Sequence, residues 1–215
     1  MDATTARKIL AKDNPANLYD AVQPALEDAQ LRDELVEGSF DKREMVRYNC
    51  VRVLLNAMKV QPVLFYSYWD RFAKGIDSPN GFHRSSSAQA IAYLASVDED
   101  GRLDPIFHHY LKLLDDSKVM VSHYFLDTLP LIYHARPEFR SKIVTCLLSV
   151  DKTKHPPSRK ELLKADIISN LDQIFGTLSP SDKKKAASFV KDQLQSESPK
   201  ARKAAREFGK KYGLD

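Results

Sequence analysis

Six histidines are the side chains best suited to move a proton near neutral pH, and two arrangements of them could do chemistry. His123 and Asp127 stand four apart, which on a helix sets them on one face and allows an imidazole–carboxylate pair. His108 and His109 are adjacent, so on a helix they point about 100° apart and share a metal poorly. An acid–base site also needs a nucleophile or metal beside the pair, and the sequence offers no third member. Cys50 and Cys146 are 96 residues apart and lack the Cys–Cys or Cys–His spacing of a zinc site. They read as reduced core thiols of a cytoplasmic protein. No phosphate loop, GxGxxG, HExxH or GxSxG occurs, so no catalytic residue, cofactor or metal is expected.

Charge is the other source of chemistry. The net charge is +4, and Ser181–Asp215 holds ten Lys/Arg against five Asp/Glu, a balance of +5 that leaves the first 180 residues at −1. That basic end carries Lys200, Lys203, Arg206, Lys210 and Lys211, with Lys203, Arg206 and Lys210 on one helix face. It reads as a nucleic-acid contact surface or as the solvated cap of a repeat array. Phe65, Trp69 and Phe72 share a helix face that suits a core. Tyr66, Tyr68 and Arg71 are left for outer faces, where aromatics and Arg anchor partners. No run of 18 or more apolar residues and no secretory leader pattern is present, so no membrane association is expected.

The elements that must position these groups are written as a repeat. Helices are predicted to open at Asn14-Pro15, Gln61-Pro62, Asp104-Pro105, Arg136-Pro137 and Ser179-Pro180, because proline's missing N–H costs nothing in a first helical turn. Each is followed by a second helix. These second helices align on Val46-Arg47, His83-Arg84, Val121-Ser122, Arg159-Lys160 and Ala201-Arg202, at intervals of 37, 38, 38 and 42 residues. Such a period marks stacked helix pairs.

The expected organisation is a single domain, 1–215, with a capping helix in 1–12. Its helix pairs are expected at 15–58, 62–97, 105–135, 137–175 and 180–212. The first A-helix should run unbroken from Pro15 to about Val36, and Asp41 should cap the first B-helix with Glu44 three residues on. Two columns should be buried in every repeat: Cys50, Ser87, Phe125, Leu163, Ala205, and Leu54, Ile91, Leu129, Ile167, Gly209.

These residues resemble HEAT repeats of the HEAT and armadillo superfamily. Asp41…Val46-Arg47…Cys50…Leu54 follows the family's B-helix pattern of Asp, Val-Arg, small residue and Leu. Ser196 to Ala205 is similar to the version in HEAT-like proteins of the bilin lyase type. Repeats three and four depart from the pattern with Ser122 and Lys160 at the Arg position.

The resemblance implies an all-α protein, a right-handed α-α superhelix (solenoid) of about five HEAT-like helix pairs. In that family the Arg bonds to a turn Asp, which would make Asp41 the partner of Arg47. B-helices line the concave surface, which would present Tyr48, Arg52, Ser85, Gln89, His123 and Asp127. That mixed polar face suits a protein or peptide partner, or bare solvent, better than a phosphate backbone. The function implied is a non-catalytic protein-interaction or scaffold module. The alternative is a nucleic-acid-binding protein resembling the alkylpurine DNA glycosylases, which are also HEAT-like. Against it, Trp69 has Ala73 rather than an acid four residues on.

Overall fold

Proline and hydroxyl residues set where the helices begin. In a computed structural model, which describes residues 1–13 and 15–214, Ser179 and Ser198 cap helices whose first residues are Pro180 and Pro199. Their Oγ atoms accept from the N–H of Asp182 at 3.1 Å and of Ala201 at 3.3 Å. Asn14, of the first expected X-Pro step, lies outside the described residues. Of the other expected starts, Pro62 and Pro137 open 3-10 turns; no helix opens at Pro15 or Pro105, the next beginning at Leu18 and Phe107. Helix makes up 78% of the chain and no strand occurs among the described residues, so the cores are built by helix on helix. Two compact units result, residues 1–104 and 105–215, and they divide at the Asp104-Pro105 step.

The first unit holds α1 (Ala3–Leu10), α2 (Val22–Glu27), α3 (Ala29–Gly38), α4 (Glu44–Val60), α5 (Trp69–Gly75) and α6 (Gly81–Leu94). Short 3-10 turns occupy Leu18–Ala21, Pro62–Tyr68 and Ala95–Val97. The unbroken helix expected over Pro15–Val36 is instead interrupted at Asp28, whose backbone is extended. The break is stabilised on both sides. Asp28 Oδ1 accepts from Leu31 N at 2.8 Å and starts α3, while Arg32 donates to the carbonyls of Ala25 and Leu26 that end α2. Asp41 is not the N-cap of α4 either; Arg43 holds that position.

The second unit holds α7 (Phe107–Leu111), α8 (Val119–Ala135), α9 (Arg140–Leu147), α10 (Pro157–Ile174), α11 (Pro180–Asp192) and α12 (Pro199–Tyr212). Pro156-Pro157 starts α10, because the first proline must lie outside the helix and the second is its first residue.

The period-four columns form the cores. Cys50, Ser87, Phe125, Leu163 and Ala205 are all buried, as are Leu54, Ile91, Leu129 and Ile167; Gly209 is half-buried. In the first unit α4 packs against α2, α3 and α6, and α5 against α6. In the second, α10 packs between α8 and α12, and α11 lies on α12. Phe65, Trp69 and Phe72 are buried, as their shared face predicts. Tyr66 and Tyr68, expected on outer faces, donate to Asp98 and Asp33 and are engaged within the unit. Gly38 and Gly75 stand where α3 and α5 come nearest the small column residues Cys50 and Ser87.

Candidate functional site

The turn before each B-helix fixes which side chains face outward. Two residues ahead of the N-cap, a side-chain oxygen accepts the cap's own N–H: Asp41 from Arg43, Ser78 from Asn80, Asp116 from Lys118 and Ser196 from Ser198. Six residues after that oxygen stands the ladder position. Arg47 Nη1 donates to the carbonyls of Asp41 at 2.9 Å and Lys42 at 3.5 Å. Arg84 Nη1 donates to Ser78 O at 2.7 Å and Pro79 O at 3.2 Å, and Arg202 Nη1 to Ser196 O at 2.5 Å and Glu197 O at 3.0 Å.

The ladder arginines therefore clamp backbone carbonyls, and the expected Arg47–Asp41 carboxylate pair does not form. Arg43 takes that carboxylate instead, through Nη2 at 2.9 Å and Nε at 3.1 Å. The hydrogen bonds from Arg43's guanidinium and N–H hold Asp41 down to about 2. Where the pattern departs, other groups reach the turn. His155 Nε2 lies 3.1 Å from both Ser122 Oγ and the carbonyl of Leu114, and Lys160 donates to the carbonyl of Asp151 at 2.8 Å. Arg47, Arg84, Lys160 and Arg202 are thus committed to their own turns, while Ser122 meets His155 from the turn before α10.

The helix surface beyond the ladder differs between the units. In the first, the guanidinium of Arg52 sits 4.8 Å from the ring centroid of Tyr19 and 5.3 Å from that of Tyr48. It also donates to Tyr19 Oη through Nη2 at 2.6 Å and Nε at 3.0 Å. Tyr19 is 49% exposed and Tyr48 42%, so both rings remain open to contact while Arg52 holds them. Ser85 does not reach this surface; it is buried and donates to Phe82 O. Gln89 is half-buried and donates to Ser85 O.

In the second unit, His123 pairs with Asp166 of α10 and not with Asp127 of its own helix. His123 Nδ1 lies 2.8 Å from Asp166 Oδ2, and Lys200 of α12 reaches Asp166 Oδ1 at 2.8 Å. One carboxylate thus ties α8, α10 and α12 together. Asp127 is exposed, in a row along α8 with the exposed Met120, Tyr124 and Leu131. No group of three or more metal-ligating side chains occurs among the described residues.

Three of the five cations expected at the basic end are ion-paired. Lys200 pairs with Asp166, Lys203 with Glu207 at 3.8 Å, and Lys211 with Asp172 at 2.8 Å. Arg206 and Lys210 form no ion pair among the described residues. Trp69 is 2% exposed and cannot stack on a base, and Asp70 beside it accepts from Arg102 at 2.7 Å. No described helix is long and apolar enough to cross a membrane.

Tyr19 and Asp166 were absent from the residues expected at the surface site. Tyr19 lies in a 3-10 turn outside any helical period, 33 residues before Arg52. Asp166 immediately precedes Ile167 of the second expected column, so a neighbour-by-neighbour reading of that column would have reached it. No family model matches the chain, and no curated protein matches it.

Proposed function

We propose that the chain is a non-catalytic protein-interaction module, a cytoplasmic HEAT-like array whose helix pairs continue as a right-handed superhelix. The Tyr19–Arg52–Tyr48 cluster carries this reading. Tyrosine and arginine are enriched where protein interfaces concentrate their binding energy. Two exposed rings already fixed by one guanidinium lose little freedom when a partner covers them, which favours binding. The two buried, unpaired thiols suit a reducing compartment. The nucleic-acid alternative rests on α12 cations of which three are held by acids, and phosphate binding would have to displace them.

The test places a photo-crosslinking amino acid at the exposed Asn56, one turn after Arg52 on α4, in cells that express the chain. Crosslinked partners are identified by mass spectrometry and compared with those of the Tyr19→Ala/Tyr48→Ala/Arg52→Ala variant. A partner lost from the variant by about tenfold or more, at unchanged melting temperature, supports the reading. Identical crosslinking profiles would sink it.

A further inference from the structure

The last two helices leave an apolar groove with cations on its walls. The groove, about 330 Å³, is floored by Ala187, Leu194, Ala205 and Leu214, with Lys191 and Arg206 lining it. Helical spacing carries the charge along both sides: Lys184 is three residues before Ala187, and Lys210 four after Arg206. None of Lys184, Lys191, Arg206 and Lys210 is ion-paired among the described residues. Elsewhere on α12 the lysines are taken: Lys200, Lys203 and Lys211 each hold an acid. No acid among the described residues lines the groove. On α12 the two cations with neither an acid nor a carbonyl partner among the described residues are Arg206, which lines the recess, and Lys210, one turn further on.

We infer that this groove docks an amphipathic helix of a partner protein, with acidic residues flanking its apolar stripe. The small floor residues let a second helix backbone come close, and the recess seats anchors at i, i+3/i+4 and i+7. The walls then meet Asp or Glu beside that stripe, and opposite charges fix its register. A single-stranded nucleic acid wants aromatic platforms for its bases, and no aromatic side chain lines the groove. A bilayer is reached by apolar groups that protrude, and these are recessed. This surface on α11 and α12 shares no residue with the Tyr19–Arg52–Tyr48 cluster, so either can fail without the other.

The probe is a fluorescent synthetic helix of about 18 residues with Leu at i, i+3, i+4 and i+7 and Glu on both flanks. Controls are a scrambled peptide of the same composition and a Lys-flanked version of the same stripe. Full-length protein is titrated by anisotropy, with backbone NMR shifts mapped in parallel. The expected result is saturable binding that shifts Ala187, Leu194, Ala205 and Leu214. It should weaken about tenfold or more for the scrambled peptide and for the Lys191→Glu/Arg206→Glu variant. Both substituted side chains are exposed, so the variant should keep its circular dichroism and melting temperature.

Absence of saturable binding up to about 1 mM peptide would overturn the inference. So would equal binding of the scrambled or Lys-flanked peptide. Tighter, variant-sensitive binding of duplex DNA or phosphatidylserine vesicles would assign the groove to those ligands instead.

Discussion

Gly75 approaches Ser87 so closely that a Cβ placed on the glycine would lie 2.0 Å from Ser87 Oγ and 2.9 Å from Ser87 Cβ. One repeat earlier, a Cβ on Gly38 would lie 2.5 Å from Cys50 Sγ. In both α3–α4 and α5–α6, glycine thus faces a small residue across a gap that has no room for a Cβ.

Replacing Gly75 by Ala should therefore destabilise the protein by about 1–3 kcal/mol, the range for overpacking a filled site. Ser87 Oγ is buried without a hydrogen-bond partner, so Ser87→Ala alone should be neutral or stabilising. Ser87→Gly should recover part of the Gly75→Ala loss. Thermal melts of the double-mutant cycle check this; strictly additive effects would show that the two residues do not press on each other. Gly176, with nothing within 4 Å of its Cβ position, serves as the control.

Arg84→Lys should cost about 1.5–3 kcal/mol although it keeps the charge. Guanidinium geometry lets one nitrogen serve the carbonyls of Ser78 and Pro79 while the planar group stays fixed, and an ammonium on a flexible stem does not reproduce it. Denaturant midpoints of Arg84→Lys and Arg84→Met, compared with wild type, measure the loss. A wild-type midpoint for Arg84→Lys would mean that charge alone suffices.

His83 gives the first unit an acid sensitivity. Burial, then the charges of Arg47 and Arg71, lower its proton affinity below the ordinary value of 6.5. The unfolded chain therefore binds the proton more readily than the folded one. Stability from this residue is present above about pH 6.5 and declines as the pH falls through the lower folded value. His83→Gln should flatten the stability profile between about pH 7 and pH 5, read by urea unfolding at each pH. An unchanged slope in the variant would remove His83 as the cause.

Both thiols should be inert in the native protein. Burial pushes Cys50 and Cys146 up to about 12, so almost no thiolate exists at neutral pH. Reaction with a chromogenic disulfide should be slow until denaturant is added and then consume two equivalents. A rapid native phase would mean that one of the cysteines opens to solvent.

Features of the chain that depend on local chemistry were legible in its sequence. The caps at Ser179 and Ser198, the buried columns and the Phe65–Trp69–Phe72 face each follow from residues within two helical turns of one another. What escaped the reading depends on choices between equivalent local options. Asp28 could continue a helix or cap a new one, and Arg32 reaching back to Ala25 and Leu26 favours the break. His123 could pair with Asp127 or with an acid one helix away, and packing of α8 on α10 selects Asp166. The Tyr19–Arg52 contact joins a 3-10 turn to a helix and leaves no period to detect.

The arginine clamp has a bearing on how such a chain can diverge. Arg47, Arg84 and Arg202 each donate Nη1 to two main-chain carbonyls, which every residue supplies whatever its side chain. In each gripped pair the first residue, Asp41, Ser78 or Ser196, still supplies a side-chain oxygen to the cap, while the second, Lys42, Pro79 or Glu197, has little in common with its counterparts. Mutation can therefore rewrite that second position while the helix pairs keep their geometry, so part of the lettering of each turn is free to drift.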